Sequence, residues 1–92
     1  MDLQFNIGDV VMSKAGRDKG RYFIVVNTED IFCFVCDGDL RKIVKPKKKK
    51  MKHLINSEVN SSYITEKLKN EGKVTNTELR RAISEFLEEK GE

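Results

Sequence analysis

Two periodicities divide the chain. Up to about position 55, short runs of β-branched and aromatic residues alternate with glycine and acidic punctuation. Such residues suit a pleated, half-buried surface, and the runs predict strands at about 9–15, 21–27, 31–37 and 40–44. Gly16-Arg17-Asp18-Lys19-Gly20 joins the first two. Residues 28–30 form a polar turn. Asp37-Gly38 signals a tight hairpin, because Asp-Gly accepts the positive φ angles of a type I′ turn. Pro46 has no N–H for a ladder and should end the fourth strand. Residues 51–55 fit a fifth strand or a turn of 3₁₀ helix, and the pattern does not choose between them.

From about Asn56 the apolar period changes from two to 3.6. Ser61 or Ser62 is placed to cap a helix that carries Ile64 and Leu68 and stops before Gly72, a residue suited to a left-handed C-terminal position. Thr75 and Glu78 then form a capping box, with Val74 and Leu79 as the hydrophobic staple around it. Leu79, Ala82, Ile83, Phe86 and Leu87 make the stripe of an amphipathic helix, and Gly91 is a reasonable stop. The reading is a mainly β chain with an α-helical tail: a small barrel at 1–55 and a helical hairpin at 56–92. With 92 residues, the chain buries a modest core. Curling lets so small a sheet bury its apolar face and protect its edges.

Net charge is only +3, but its distribution says more than its total. Residues 1–54 carry 12 Lys/Arg against 7 Asp/Glu, and residues 55–92 carry 6 against 8, so the predicted barrel is basic and the tail acidic. Lys14, Arg17, Lys19 and Arg21 surround the glycine loop, where Gly16 and Gly20 permit close approach of a ligand to the backbone. Loop N–H groups and these cations together would suit phosphates. A second run holds Arg41, Lys42, Lys45, Lys47, Lys48, Lys49, Lys50, Lys52 and His53 with no acid among them. Consecutive like charges repel, and a polyanion is their natural compensation. Lysine is a point charge with little bidentate base-reading capacity, so affinity should exceed sequence specificity.

Other chemistry finds little support. Cys33 and Cys36 make a C-x-x-C, but within an apolar run read as a strand. Residues three apart on a strand face opposite ways, with Cα atoms roughly 10 Å apart, too far for a disulfide. With His53 the sole histidine and no second cysteine pair, a four-ligand zinc site is incomplete; the thiols read as structural, and no metal or cofactor is expected. One histidine, no paired carboxylates in an apolar pattern and no phosphate-binding P-loop argue against an enzyme or a small-molecule substrate. Asp18, Asp37 and Asp39 occupy turn positions where aspartate commonly satisfies local backbone groups. No run is long and apolar enough to span a bilayer, and the first residues lack a secretory pattern, so a cytoplasmic protein with no membrane partner is expected.

Asp9-Val10-Val11, the loop closing on Gly20 and the run from Tyr22 to Val26 resemble the KOW motif, a strand–loop–strand unit of ribosomal proteins and transcription factors. With Ser13-Lys14-Ala15-Gly16, Asp37-Gly38-Asp39-Leu40-Arg41-Lys42 and Lys45-Pro46-Lys47-Lys48-Lys49, residues 7–54 look like the KOW barrel of certain archaeal and eukaryotic large-subunit ribosomal proteins. The whole chain is similar to short KOW-containing RNA-binding proteins of Gram-positive bacteria. The resemblance implies a five-stranded SH3-like barrel. It also implies RNA contact, ribosomal RNA above all, for Lys14, Arg17, Lys19, Arg21 and residues 45–52. After Leu54 the chain departs from the ribosomal pattern with its acidic helical tail. Two other functions fit the sequence: a protein-interaction module docking ribosomal or other proteins through the apolar face of the helices, and a transcription-elongation accessory domain.

Overall fold

A computed structural model describes residues 4–91. Five strands, β1 (Asp9–Ser13), β2 (Tyr22–Glu29), β3 (Phe32–Cys36), β4 (Lys47–Lys50) and β5 (Leu54–Asn60), precede two helices, α1 (Ser62–Glu71) and α2 (Asn76–Lys90). The strands make one sheet in the order β4-β3-β2-β1-β5, with every neighbouring pair antiparallel. A single 3₁₀ turn, Met51–His53, joins β4 to β5. The fold is mainly β with a helical C-terminal part.

Consecutive apolar residues within the strands have a direct structural reason: both faces of the sheet are covered. Val11, Phe23, Val25, Cys33, Val35 and Leu54 meet on the concave side. That cluster draws on β5 at one edge and on β3, with two strands between them, so the sheet must curl into a small barrel-like form. Register shifts in β1 after Val10 and in β2 around Val26 add the local twist that curling requires. Val10, Ile24 and Cys36 point the other way and meet Ile64, Val74, Leu79, Ile83 and Phe86 from the helical part. The barrel and helices therefore share a core. Burying Leu79, Ile83 and Phe86 contributes on the order of 5 kcal/mol before entropy is subtracted.

The helices form where their capping signals lie. The Ser61 hydroxyl accepts from the Ile64 N–H, and Gly72 closes α1 at φ 75°. Thr75 and Glu78 complete the capping box of α2. Leu79, Ile83 and Phe86 of the expected stripe are buried, with the Phe86 ring 5.1 Å from that of Tyr22; Leu87 lies at the stripe's margin and is exposed.

Three expectations need correction, and one left open is resolved. The fourth strand is not 40–44 but Lys47–Lys50, so Pro46 precedes a strand instead of ending one. The Asp37 carboxylate accepts from the N–H groups of Asp39 and Arg41, which wraps the chain into a loop. That loop is tied to the start of α2: Asn76 accepts from the Ile43 N–H, and Arg80 donates to the Gly38 carbonyl. Gly38 is needed less for a hairpin than for this approach, since a Cβ there would lie 2.2 Å from the Asn76 carbonyl oxygen. Four lysines tolerate a strand because successive side chains leave on opposite faces. Second, the polar turn at 28–30 shrinks to Asp30 and Ile31, with β2 running through Glu29. Third, both readings of 51–55 are realised in succession, the 3₁₀ turn and then β5. Fourth, β5 continues to Asn60 in pairing with β1, so the division at 55 falls inside a strand.

Candidate nucleic-acid interface

The loop between β1 and β2 is built as the two glycines predict. Gly16 and Gly20 have φ of 77° and 88°, with open space where a Cβ would stand. Its backbone is less free than the sequence implies. The N–H groups of Lys19, Gly20 and Arg21 donate to the carbonyls of Gly16, Ser13 and Asp18. Those three donors hold the loop closed and are not free for a ligand. Lys14, Arg17 and Lys19 are exposed, while Asp18 between the last two turns inward and is buried.

Asp18 is the residue that brings the two basic segments together. Its Oδ2 accepts from Arg41 Nη2 at 3.0 Å and Nε at 3.2 Å, and Lys49 Nζ lies 3.8 Å away. One carboxylate thus pins the β3–β4 loop and the edge strand β4 to the glycine loop. The Lys14 N–H donates to the His53 carbonyl at 3.0 Å, which adds the 3₁₀ turn to the same region. Asp37 does parallel work one loop away. Besides its backbone partners it accepts from Arg21 Nη2 at 3.0 Å. Burial would raise the Asp37 carboxyl, but the N–H groups of Arg41 and Asp39 and the Arg21 guanidinium outweigh it and hold it below the ordinary value.

These pairs sort the cations singled out in the sequence. Arg21, Arg41 and Lys49 are committed to aspartates, and the Lys49 side chain is only 11% exposed. Lys48 leans on Glu29 at 3.8 Å and over the Phe32 ring at 4.4 Å. Lys42, Lys45, Lys47, Lys50, Lys52 and His53 are exposed. With Lys14, Arg17 and Lys19 they belong to segments that Asp18 and the Lys14–His53 bond hold side by side. The organising role of Asp18 was not read from the sequence. Its signal was an acid placed centrally in an otherwise basic five-residue loop. Asp37 does satisfy local backbone, as expected; Asp18 instead reaches across the fold.

The cysteines occupy opposite faces of β3, Cys33 in the concave core and Cys36 in the core beneath the helices. They cannot share a metal ion. Burial, with Asp9 near Cys33 and Asp37 near Cys36, pushes their thiols up to about 11 and about 12, so both stay protonated and unreactive at neutral pH. Among the described residues, no group of three or more His, Cys, Asp or Glu is arranged to hold a metal, and no helix is long and apolar enough to cross a membrane. An apolar groove of about 460 Å³, lined by Met12, Tyr22, Ile55, Val59 and Phe86 among others, includes none of the cations discussed above. Neither the protein-family models nor the curated proteins yield a match to this chain.

Proposed function

We propose that the protein binds RNA, ribosomal RNA foremost, by neutralising phosphates with the exposed lysines and arginine of the glycine loop and the β3–β4 region. The observation that carries this reading is the division of the cations. The buried aspartates take three of them, and the others remain in solvent on segments joined through Asp18. A surface of unpaired, closely spaced cations is compensated best by a polyanion, whose bound counterions are released on contact. The likeness of residues 7–54 to KOW barrels of ribosomal proteins supports ribosomal RNA as the target and a cytoplasmic setting. Docking of a protein through the apolar stripe of α2 gains no support, because Leu79, Ile83 and Phe86 are already buried against the sheet.

Fluorescence anisotropy with a labelled RNA, titrated across salt concentrations, tests the proposal. With about 5–7 phosphates neutralised, log K should fall against log salt with a slope near −0.7 per contact on single strands and somewhat steeper on duplex. Co-sedimentation with ribosomes should be lost at high salt for the same reason. A slope near zero would remove the phosphate-binding reading.

A further inference from the structure

The chain has five phenylalanines, and two of them serve neither core. Phe23 and Phe86 are buried, and Phe5 packs against the concave cluster. Phe32 and Phe34 are half-buried on the face of β3 opposite Cys33 and Val35, outside both clusters. This is the convex face, which the helices cover nearer Cys36. The register aligns Asn27, Phe34 and Lys48 in one row across β2, β3 and β4, and Glu29, Phe32 and Lys50 in the next. Paired residues share a face, so the two rings are flanked on the edge strand by two lysines.

Rings two residues apart on a strand are separated by roughly 7 Å, a spacing that suits successive splayed bases of a single strand and not the stacked bases of a duplex. Partly exposed phenylalanines are poor value to stability, but every nucleobase has a π-face that stacks on them without regard to sequence. Lys48 Nζ lies 4.4 Å from the centre of the Phe32 ring and 5.8 Å from that of Phe34, so the rings already hold a cation over their faces. Glu29 Oε1 lies 3.8 Å from the same ammonium; it is the one acid in these two rows. A phosphate arriving with the bases would compete for Lys48, and Lys50 at the outer edge is exposed to meet a second one.

We propose that Phe32 and Phe34 form a stacking platform for two unpaired bases of a single-stranded RNA, with Lys48 and Lys50 meeting the adjoining phosphates. This rests on the RNA-binding reading above and narrows it from polyanions in general to single strands. The lysines supply charge complementarity, and the rings supply a contact that duplex RNA, with its bases already stacked, cannot use.

The test uses the whole chain, a labelled 12-nucleotide oligouridylate and a 12-base-pair RNA duplex. The protein should favour the single strand. Phe32→Leu and Phe34→Leu should each weaken oligouridylate binding by about tenfold, with the salt slope unchanged because no cation is lost. Phe34→Tyr keeps the ring and should retain affinity, which separates loss of stacking from a folding defect. An oligonucleotide carrying 2-aminopurine should lose fluorescence on binding the parent and less on binding Phe34→Leu. Unchanged affinity in both leucine variants, with binding still weakened by Lys47→Ala and Lys50→Ala, would overturn the platform and leave phosphate binding standing. No binding of either probe by the parent protein would overturn both.

Discussion

Arg21, Arg41 and Lys49 differ from Lys45, Lys47 and Lys50 in little that the sequence displays, yet the fold uses the two sets for opposite purposes. The first set faces buried carboxylates at Asp37 and Asp18. A buried carboxylate without a partner would cost several kcal/mol, so these cations are held in place by what they compensate. The second set stands in water, where solvent and salt screen mutual repulsion. Among the described residues it has no ion-pair partner. Cationic runs therefore mix scaffold with interface, and deleting the two kinds should have different consequences.

The largest effect expected is on the free set. Replacing Lys45, Lys47, Lys50 and Lys52 by alanine removes up to four phosphate contacts and should weaken RNA binding by about a thousandfold at 0.1 M salt. The melting temperature should hardly move, since these side chains are exposed. Lys49→Ala should leave the salt slope as it is. Were Lys49→Ala to flatten the slope as much as Lys50→Ala does, the division between the two sets would be wrong.

Next in size is the removal of the compensating charge. Asp18→Asn leaves Arg41 and Lys49 beside a neutral group and should cost about 2 kcal/mol, less than a fully buried pair because Arg41 reaches solvent. For a domain of this size that lowers the melting temperature by about 10 °C. RNA affinity, measured where the variant is folded, should fall only a few-fold, because loosening the segments that Asp18 joins is partly offset by the loss of a negative charge. A variant that melts like the parent would show these contacts to be ordinary surface ion pairs of little worth.

The smallest effect concerns pH. Glu78 accepts hydrogen bonds from the Tyr63 hydroxyl and the Thr75 N–H and pairs with Lys67, and these hold its carboxyl down to about 2 from an ordinary 4.5. A folded value below the unfolded one means its contribution is complete above pH 4.5 and disappears as pH falls toward 2. Asp37, also lowered, acts with the same sign below its ordinary 3.8. Glu78→Gln should therefore be slightly less stable than the parent at neutral pH, and the gap should close on acidification. Denaturant midpoints measured from pH 7 to pH 2 would show it; a gap that stays constant with pH would assign the loss to altered capping instead of charge.

What could be read in the linear chain was whatever depends on near neighbours. Ser61, Gly72 and the Thr75–Glu78 box set helix ends, because a cap is made of atoms within a few residues of each other. Strands β1 to β3 followed from their β-branched runs, and the opposite facing of Cys33 and Cys36 from the two-residue period. The glycine loop likewise declared its positive φ angles. Where β4 would form was not legible locally. The stronger strand-former, residues 40–44, lost to four lysines because the Asp37 loop and its ties to Asn76 and Arg80 used up the earlier segment. Strand β4 then found compensation in Asp18 and Glu29 and a ladder along β3. Asp18 lies 31 residues from Lys49 and Glu29 19 residues from Lys48, while the β3 partners lie 12 to 18 residues away. A charge pattern states how many cations there are; which of them pair with buried acids depends on who their neighbours become when the sheet curls, and that is decided by tertiary structure alone.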